Sequence, residues 1–193
     1  YEIVSGLSPL QGARNAPRST ATRTVSLVAL SDIAEVSAGC TTADAYNLKG
    51  EIEDSSDARG LKLITTGAID RYTSKWGRMK IRYLKDDYIR PRWPKVPSDR
   101  GVKRALARKN GPKILVGGLT AVLEAWFDAK GESAGIVQTW VVRPRTEVLS
   151  RASSDAFWWL TAIINSAYFS RVFASRYGAQ SMSGKQITIK KTS

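Results

Sequence analysis

Apolar residues recur every three or four positions between Ser154 and Tyr177, at Phe157, Leu160, Ile164, Tyr168 and Val172. That period predicts a long amphipathic helix over 154–177, with Asp155 complementing the positive end of its dipole. The same period assigns Trp158 and Trp159 to packing. Arg78 to Leu84 alternates instead, with Met79, Ile81 and Tyr83 on one face and Arg78, Lys80 and Arg82 on the other, the two-residue repeat of a strand. Leu61 to Ile69, Lys113 to Val116, Val122 to Phe127 and Ile136 to Val142 carry strand composition. Asp128-Ala-Lys-Gly131 lies between the last two and predicts that they pair as a hairpin. Ser31 predicts the cap of a short helix through Ile33, Ala34 and Val36 that stops at Gly39. Ser98 to Asn110 predicts a short basic helix stopped by Gly111-Pro112. Together these elements describe an α/β (α+β) fold with a twisted mixed β-sheet, a hairpin and a long C-terminal amphipathic helix. Residues 1–24 have no sustained period and read as a linker or mobile arm. That leaves 25–193 as a single domain ending in a basic tail, 178–193.

Charge sharpens the picture. Between Arg71 and Lys113 lie 15 of the 30 Lys and Arg residues, opposed only by Asp86, Asp87 and Asp99, so this segment is +12 of a formal net +13. A field so concentrated calls for a polyanion, and nucleic acid fits because neutralising phosphates releases condensed cations. Tyr72, Trp76, Tyr83, Tyr88 and Trp93 are interleaved with the charge and offer flat apolar surface. At 193 residues and 42% hydrophobic, the chain is long enough to bury a core.

Other chemistries are excluded or unsupported. There is no histidine, which removes His-based acid–base catalysis and His-ligated metals, and the single cysteine, Cys40, excludes an internal disulfide framework. The acidic stretch from Lys49 to Gly60 reads as a solvated loop rather than a metal site. Gly178 to Gln186 is not a phosphate-binding P-loop, because its glycines are one residue too far apart and Gln186 stands where Ser or Thr must meet Mg²⁺. No G-x-G-x-x-G follows a strand and no H-x-E accompanies paired cysteines, so neither a dinucleotide cradle nor a zinc deaminase site is expected. Asp70, Glu124, Asp128 and Glu132 form no recognisable nuclease spacing. No catalytic site, metal or cofactor is therefore expected in this chain. No signal peptide or membrane span is legible, and a cytoplasmic location follows. The start at Tyr1 suggests a fragment of a larger protein.

The order of segments resembles a known family. Leu30-Ser-Asp-Ile-Ala-Glu-Val-Ser-Ala-Gly39 followed by Thr41-Thr42 resembles the opening of target recognition domains in type I restriction specificity subunits. Leu61-Lys-Leu-Ile-Thr-Thr-Gly-Ala-Ile-Asp70, Trp76-Gly77 and Tyr88-Ile-Arg-Pro91 look like the next block. Gly111-Pro-Lys-Ile-Leu-Val116, Leu123-Glu-Ala, Asp128-Ala-Lys-Gly131 and Val141-Val-Arg-Pro144 are similar to the specificity domain of TaqI-like adenine-N6 DNA methyltransferases. The family's Gly-x-Thr-Pro lacks its proline here, after Thr42. The resemblance implies a domain that reads a short duplex DNA site, within a site-specific methyltransferase or restriction enzyme whose separate domain or subunit holds S-adenosylmethionine.

The expected function is thus sequence-specific binding of double-stranded DNA. Lys80, Arg82, Arg100, Lys103, Arg104, Arg108 and Lys109 are candidates for phosphate docking. Thr65, Thr66, Arg71, Lys75 and Arg78, with Gln180, Ser181, Ser183 and Lys185 in the tail, are candidates for base readout, since Arg grips guanine and Gln grips adenine bidentately. Two alternatives are a single-stranded nucleic-acid module that stacks bases on the aromatics of 71–93, and a scaffold docking on an acidic protein.

Overall fold

A computed structural model of the chain describes residues 28–40, 42–56, 60–93, 110–136, 138–177 and 187–188. One turn of helix, α1 (Leu30–Ile33), runs directly into strand β1 (Ala34–Ala38). Helix α2 (Thr42–Lys49) leads to β2 (Glu53–Asp54), β3 (Leu61–Ile64), a 3-10 turn at Thr66–Ala68 and β4 (Ile69–Asp70). Short strands β5 (Thr73–Ser74), β6 (Ile81–Tyr83), β7 (Asp86–Tyr88) and β8 (Pro91–Trp93) precede the central strand β9 (Lys113–Gly117). Next come β10 (Leu119–Thr120), β11 (Ala125–Asp128), β12 (Ser133–Gly135) and β13 (Thr139–Pro144). Helices α3 (Thr146–Ala152), α4 (Asp155–Asn165) and α5 (Ala167–Tyr177) follow, and β14 (Ile187–Thr188) is the last described element.

Two four-stranded sheets organise the α+β chain. The first has the order β1-β13-β9-β11 and is antiparallel throughout. The second has the order β12-β3-β8-β2, in which only the β12–β3 pair is parallel. Strand β9 explains the stacking, because all five of its residues are buried and successive side chains face opposite ways. Ile114 and Val116 join Phe157, Leu160 and Ile164 of α4 in one cluster, while Leu115 joins Ile64, Ile69 and Ile81 in another. Beyond the second sheet, Leu63, Tyr83, Trp93 and Ile136 pack with Leu48 of α2.

Three expectations are corrected. The predicted pairing of Val122–Phe127 with Ile136–Val142 does not form, because β9 lies between β11 and β13 and pairs with both. The Asp128–Gly131 turn exists, but it sends the chain into β12 and across to the second sheet. Gly131 makes this possible: its φ is +69°, and a Cβ there would come within 2.5 Å of the Gly111 backbone. The helix predicted from Ser31 to Gly39 is cut short: α1 is capped by Ala29 and ends at Ile33, and Ala34–Ala38 is instead β1, whose register against β13 runs from Ala34↔Pro144 to Ala38↔Trp140.

The long C-terminal helix is broken at Ser166, whose ψ of 145° is extended. Asn165 and Ser166 cause the break. The Asn165 side chain turns to strand β11, donating to Ala125 O at 2.9 Å and accepting from Ala125 N at 2.8 Å, and the Ser166 hydroxyl accepts the Phe169 N–H at 3.0 Å as the cap of α5. The phase of the apolar stripe shifts there. Phe157, Leu160 and Ile164 are buried as the period predicts, but Tyr168 is exposed and Phe169 and Phe173 face the core in its place.

Candidate nucleic-acid interface

The region between β4 and β8 is built from two tight hairpins. In the first, β4 and β5 pair as Ile69↔Ser74 and Asp70↔Thr73, which leaves Arg71 and Tyr72 as a two-residue loop. The loop is braced from below by Tyr72 N–H donating to Ala125 O at 2.9 Å and Lys75 N–H donating to Ala68 O at 2.8 Å. In the second, β6 pairs with β7 around Leu84 and Lys85, whose φ values of +47° and +77° belong to the mirror-image turn that matches strand twist. The hairpins are stitched together by Gly77 N–H donating to Ile89 O at 3.0 Å and by Trp76 Nε1 donating to Pro91 O at 3.0 Å. Asp54 of β2 accepts the Ile89 and Arg90 N–H groups and so ties the second hairpin to the second sheet.

The basic residues on this scaffold divide into two groups. Some are tied up internally. Lys75 pairs with Asp70 at 2.9 Å and Lys80 with Asp87 at 3.3 Å. Lys113 is wholly buried against Asp128 at 3.0 Å. Arg92 is buried, with its guanidinium 4.7 Å from the centre of the Trp76 ring and Nη1 donating to Gly60 O; Lys62 approaches the same ring at 5.5 Å. The others face solvent. Arg71, Arg82, Lys85 and Arg90 are exposed and make no ion pair with another described residue. Arg78 is exposed and donates from Nη2 only to neutral acceptors, Thr73 Oγ1 at 3.4 Å and Ser74 O at 3.1 Å. The space a Cβ would take at Gly77 lies against the Arg90 side chain.

Two carboxylates temper this field. A hydrogen bond from Lys75 and the Arg71 N–H hold the Asp70 carboxyl below its usual range. Burial, and then the Asp70 charge, push Glu124 above its own, against the opposing pull of Lys75 and Arg71. Lys75 is therefore engaged in an ion pair with Asp70, whereas Arg71 feels the two carboxylates without making an ion pair with either.

The remaining candidates are placed as follows. Thr65 is buried at the start of the 3-10 turn, and Thr66 Oγ1 accepts the Leu119 N–H at 3.3 Å. Both hydroxyl residues thus sit within the scaffold. Strand β10 pairs with β14 through Leu119↔Thr188 and Thr120↔Ile187, and β10 itself lies against the 3-10 turn that carries Thr66. Gln180, Ser181, Ser183 and Lys185 lie outside the described residues, as do Arg100, Lys103, Arg104, Arg108 and Lys109. The described residues on either side of the latter five are Trp93 in β8 and Asn110, three residues before β9.

Of the interleaved aromatics, Tyr83 and Trp93 are core residues and Trp76 is covered by Arg92 and Lys62, while Tyr72 is exposed. The sequence does not mark Asn165 or Arg92 as supports of the region, although the Asn-Ser pair inside an apolar run is a legible break signal. Among the described residues, no three His, Cys, Asp or Glu side chains converge as a metal site, and no helix is long and apolar enough to cross a membrane. No protein-family model matches the chain, and no curated protein matches it.

Proposed function

We propose that this chain binds double-stranded DNA sequence-specifically, as the target recognition domain of a restriction-modification or adenine-N6 methyltransferase protein, with its fold a variant of that family's. The observation that carries the reading is the set of exposed cations on the two hairpins, Arg71, Arg78, Arg82, Lys85 and Arg90, none with a carboxylate partner among the described residues. Cations left unpaired on a rigid scaffold suit phosphate docking, which fixes register on a duplex before any base is read. The order of blocks along the sequence supports the family. In this reading methyl transfer or cleavage belongs to a separate domain or subunit, which would hold S-adenosylmethionine; this chain's own residues bind and orient the duplex.

The structure gives the single-stranded alternative less support. Stacking platforms need exposed rings, and two of the five interleaved aromatics are in the core while a third carries two cations on its face.

A salt titration of duplex binding tests the proposal. The log–log slope of affinity against salt is roughly −0.9 for each phosphate contact. Replacing Arg82, Lys85 and Arg90 together by glutamine should flatten the slope by about two to three contacts, whereas replacing Lys80, already paired with Asp87, should change it by less than one. A triple variant with the wild-type slope would sink the proposal.

A further inference from the structure

The tip of the first hairpin presents an anomaly. Tyr72 has a φ of +64°, the left-handed region that an aromatic side chain avoids and that Gly or Asn occupies at little cost. Such strain is normally offset by packing of the side chain, yet the Tyr72 side chain is 53% exposed. Its backbone is held firmly, with the N–H donated to Ala125 O at 2.9 Å, while the Asn165 amide grips the same carbonyl at 2.9 Å. Arg71, next to it, has its N–H fixed by Asp70 Oδ1 at 2.8 Å and its side chain exposed. Behind the tip, Lys75 occupies Asp70, and Arg78 bridges Thr73 and Ser74. The backbone of this strained turn is held by the fold, but its outward ring and guanidinium make no hydrogen bond or ion pair with another described residue. That arrangement suits contact with something else.

We infer that Arg71 and Tyr72 form a base-contacting probe, the part of this surface that sets sequence preference; the inference rests on the duplex-binding reading above. A two-stranded ribbon fits the major groove, where a guanidinium bonds the O6 and N7 acceptors of guanine and an apolar ring packs on a neighbouring thymine methyl. Tyr72 is then a specificity residue and the cations on the second hairpin supply register. Strain at the tip is a feature of the site, because glycine there would relax the turn and lose the ring.

The test compares wild type, Tyr72→Gly and Tyr72→Phe, each as the full chain, in selection from a randomised duplex library and in binding to mixed-sequence duplex across salt. Wild type is expected to enrich a motif that contains a guanine. Tyr72→Gly is expected to melt a few degrees higher, to bind mixed-sequence duplex with the same salt slope, and to lose about tenfold or more of its discrimination for the motif. Tyr72→Phe is expected to keep the motif. If Tyr72→Gly selects the same motif with equal discrimination, the inference is overturned and the phosphate-docking reading stands. If Tyr72→Gly melts lower and loses all binding, Tyr72 is a structural residue and the inference is likewise overturned. If wild type shows no salt-dependent duplex binding, both fall together.

Discussion

Replacing Asp128 by asparagine should damage the fold far more than a turn position suggests. Its carboxylate accepts the Lys113 ammonium at 3.0 Å and the backbone N–H groups of Gly131, Glu132 and Ser133 at 3.1, 3.3 and 2.9 Å. Lys113 is fully buried, and burial pulls its ammonium below the usual range against the attraction of Asp128. Asparagine keeps one oxygen for the backbone donors but removes the charge, so a buried ammonium is left without a counter-ion. Breaking such a pair from one side costs about 3–5 kcal/mol. That is a large part of the roughly 5–15 kcal/mol that holds a domain together. Lys113→Met is expected to cost less, because the three backbone N–H donors still satisfy the carboxylate. The double variant, neutral on both sides, should recover part of the Asp128→Asn loss. Urea unfolding followed by tryptophan fluorescence measures all three, with the slope against denaturant unchanged. The reasoning fails if Asp128→Asn stays within about 1 kcal/mol of wild type, or if Lys113→Met proves the more damaging.

Three further outcomes are expected. Asn165→Ala strands the buried Ala125 N–H and should lower stability by about 1–3 kcal/mol in the same urea assay, with faster hydrogen exchange at Tyr72, whose acceptor is Ala125 O. Glu124→Gln should stabilise the fold at neutral pH: the folded carboxyl titrates above its usual 4.5, so its ionisation disfavours the native state as pH rises from 4.5 through the folded value, and the advantage should vanish below pH 4.5, as thermal melts across pH will show. Lys85→Gly relieves a φ of +77° and should stabilise by about 1 kcal/mol while removing at most one unit of salt slope, which separates backbone strain from phosphate contact at one position.

What the sequence made legible is what depends on near neighbours. The strand composition of 113–116 matches β9, and the two-residue alternation separates buried Ile81 and Tyr83 from exposed Arg82, although Met79 on the same predicted face is exposed and Tyr83 is core rather than binding surface. Partners distant in sequence were not legible. Nothing in Asp128-Ala-Lys-Gly131 says that the next strand crosses to another sheet, since that choice is made by β9 pairing with β13 and by Gly131 lying against Gly111. Charge counting likewise treats Lys75, Lys80, Arg92 and Lys113 as equal to Arg71 and Lys85. The fold separates them through Asp70, Asp87, Trp76 and Asp128, of which only Asp87 stands within the basic run as a carboxylate. The helix break at Asn165 and Ser166 lay between these cases: the capping residues are visible locally, but only the Asn165 clamp on Ala125 explains why they interrupt so apolar a run.

The most direct test is hydrogen exchange on the chain with and without mixed-sequence duplex at low salt. The account predicts new protection at residues 70–73 and 78–90, on the two hairpins. Protection confined instead to the helices around the exposed Trp158, Trp159 and Tyr168, with the hairpins unchanged, would contradict it.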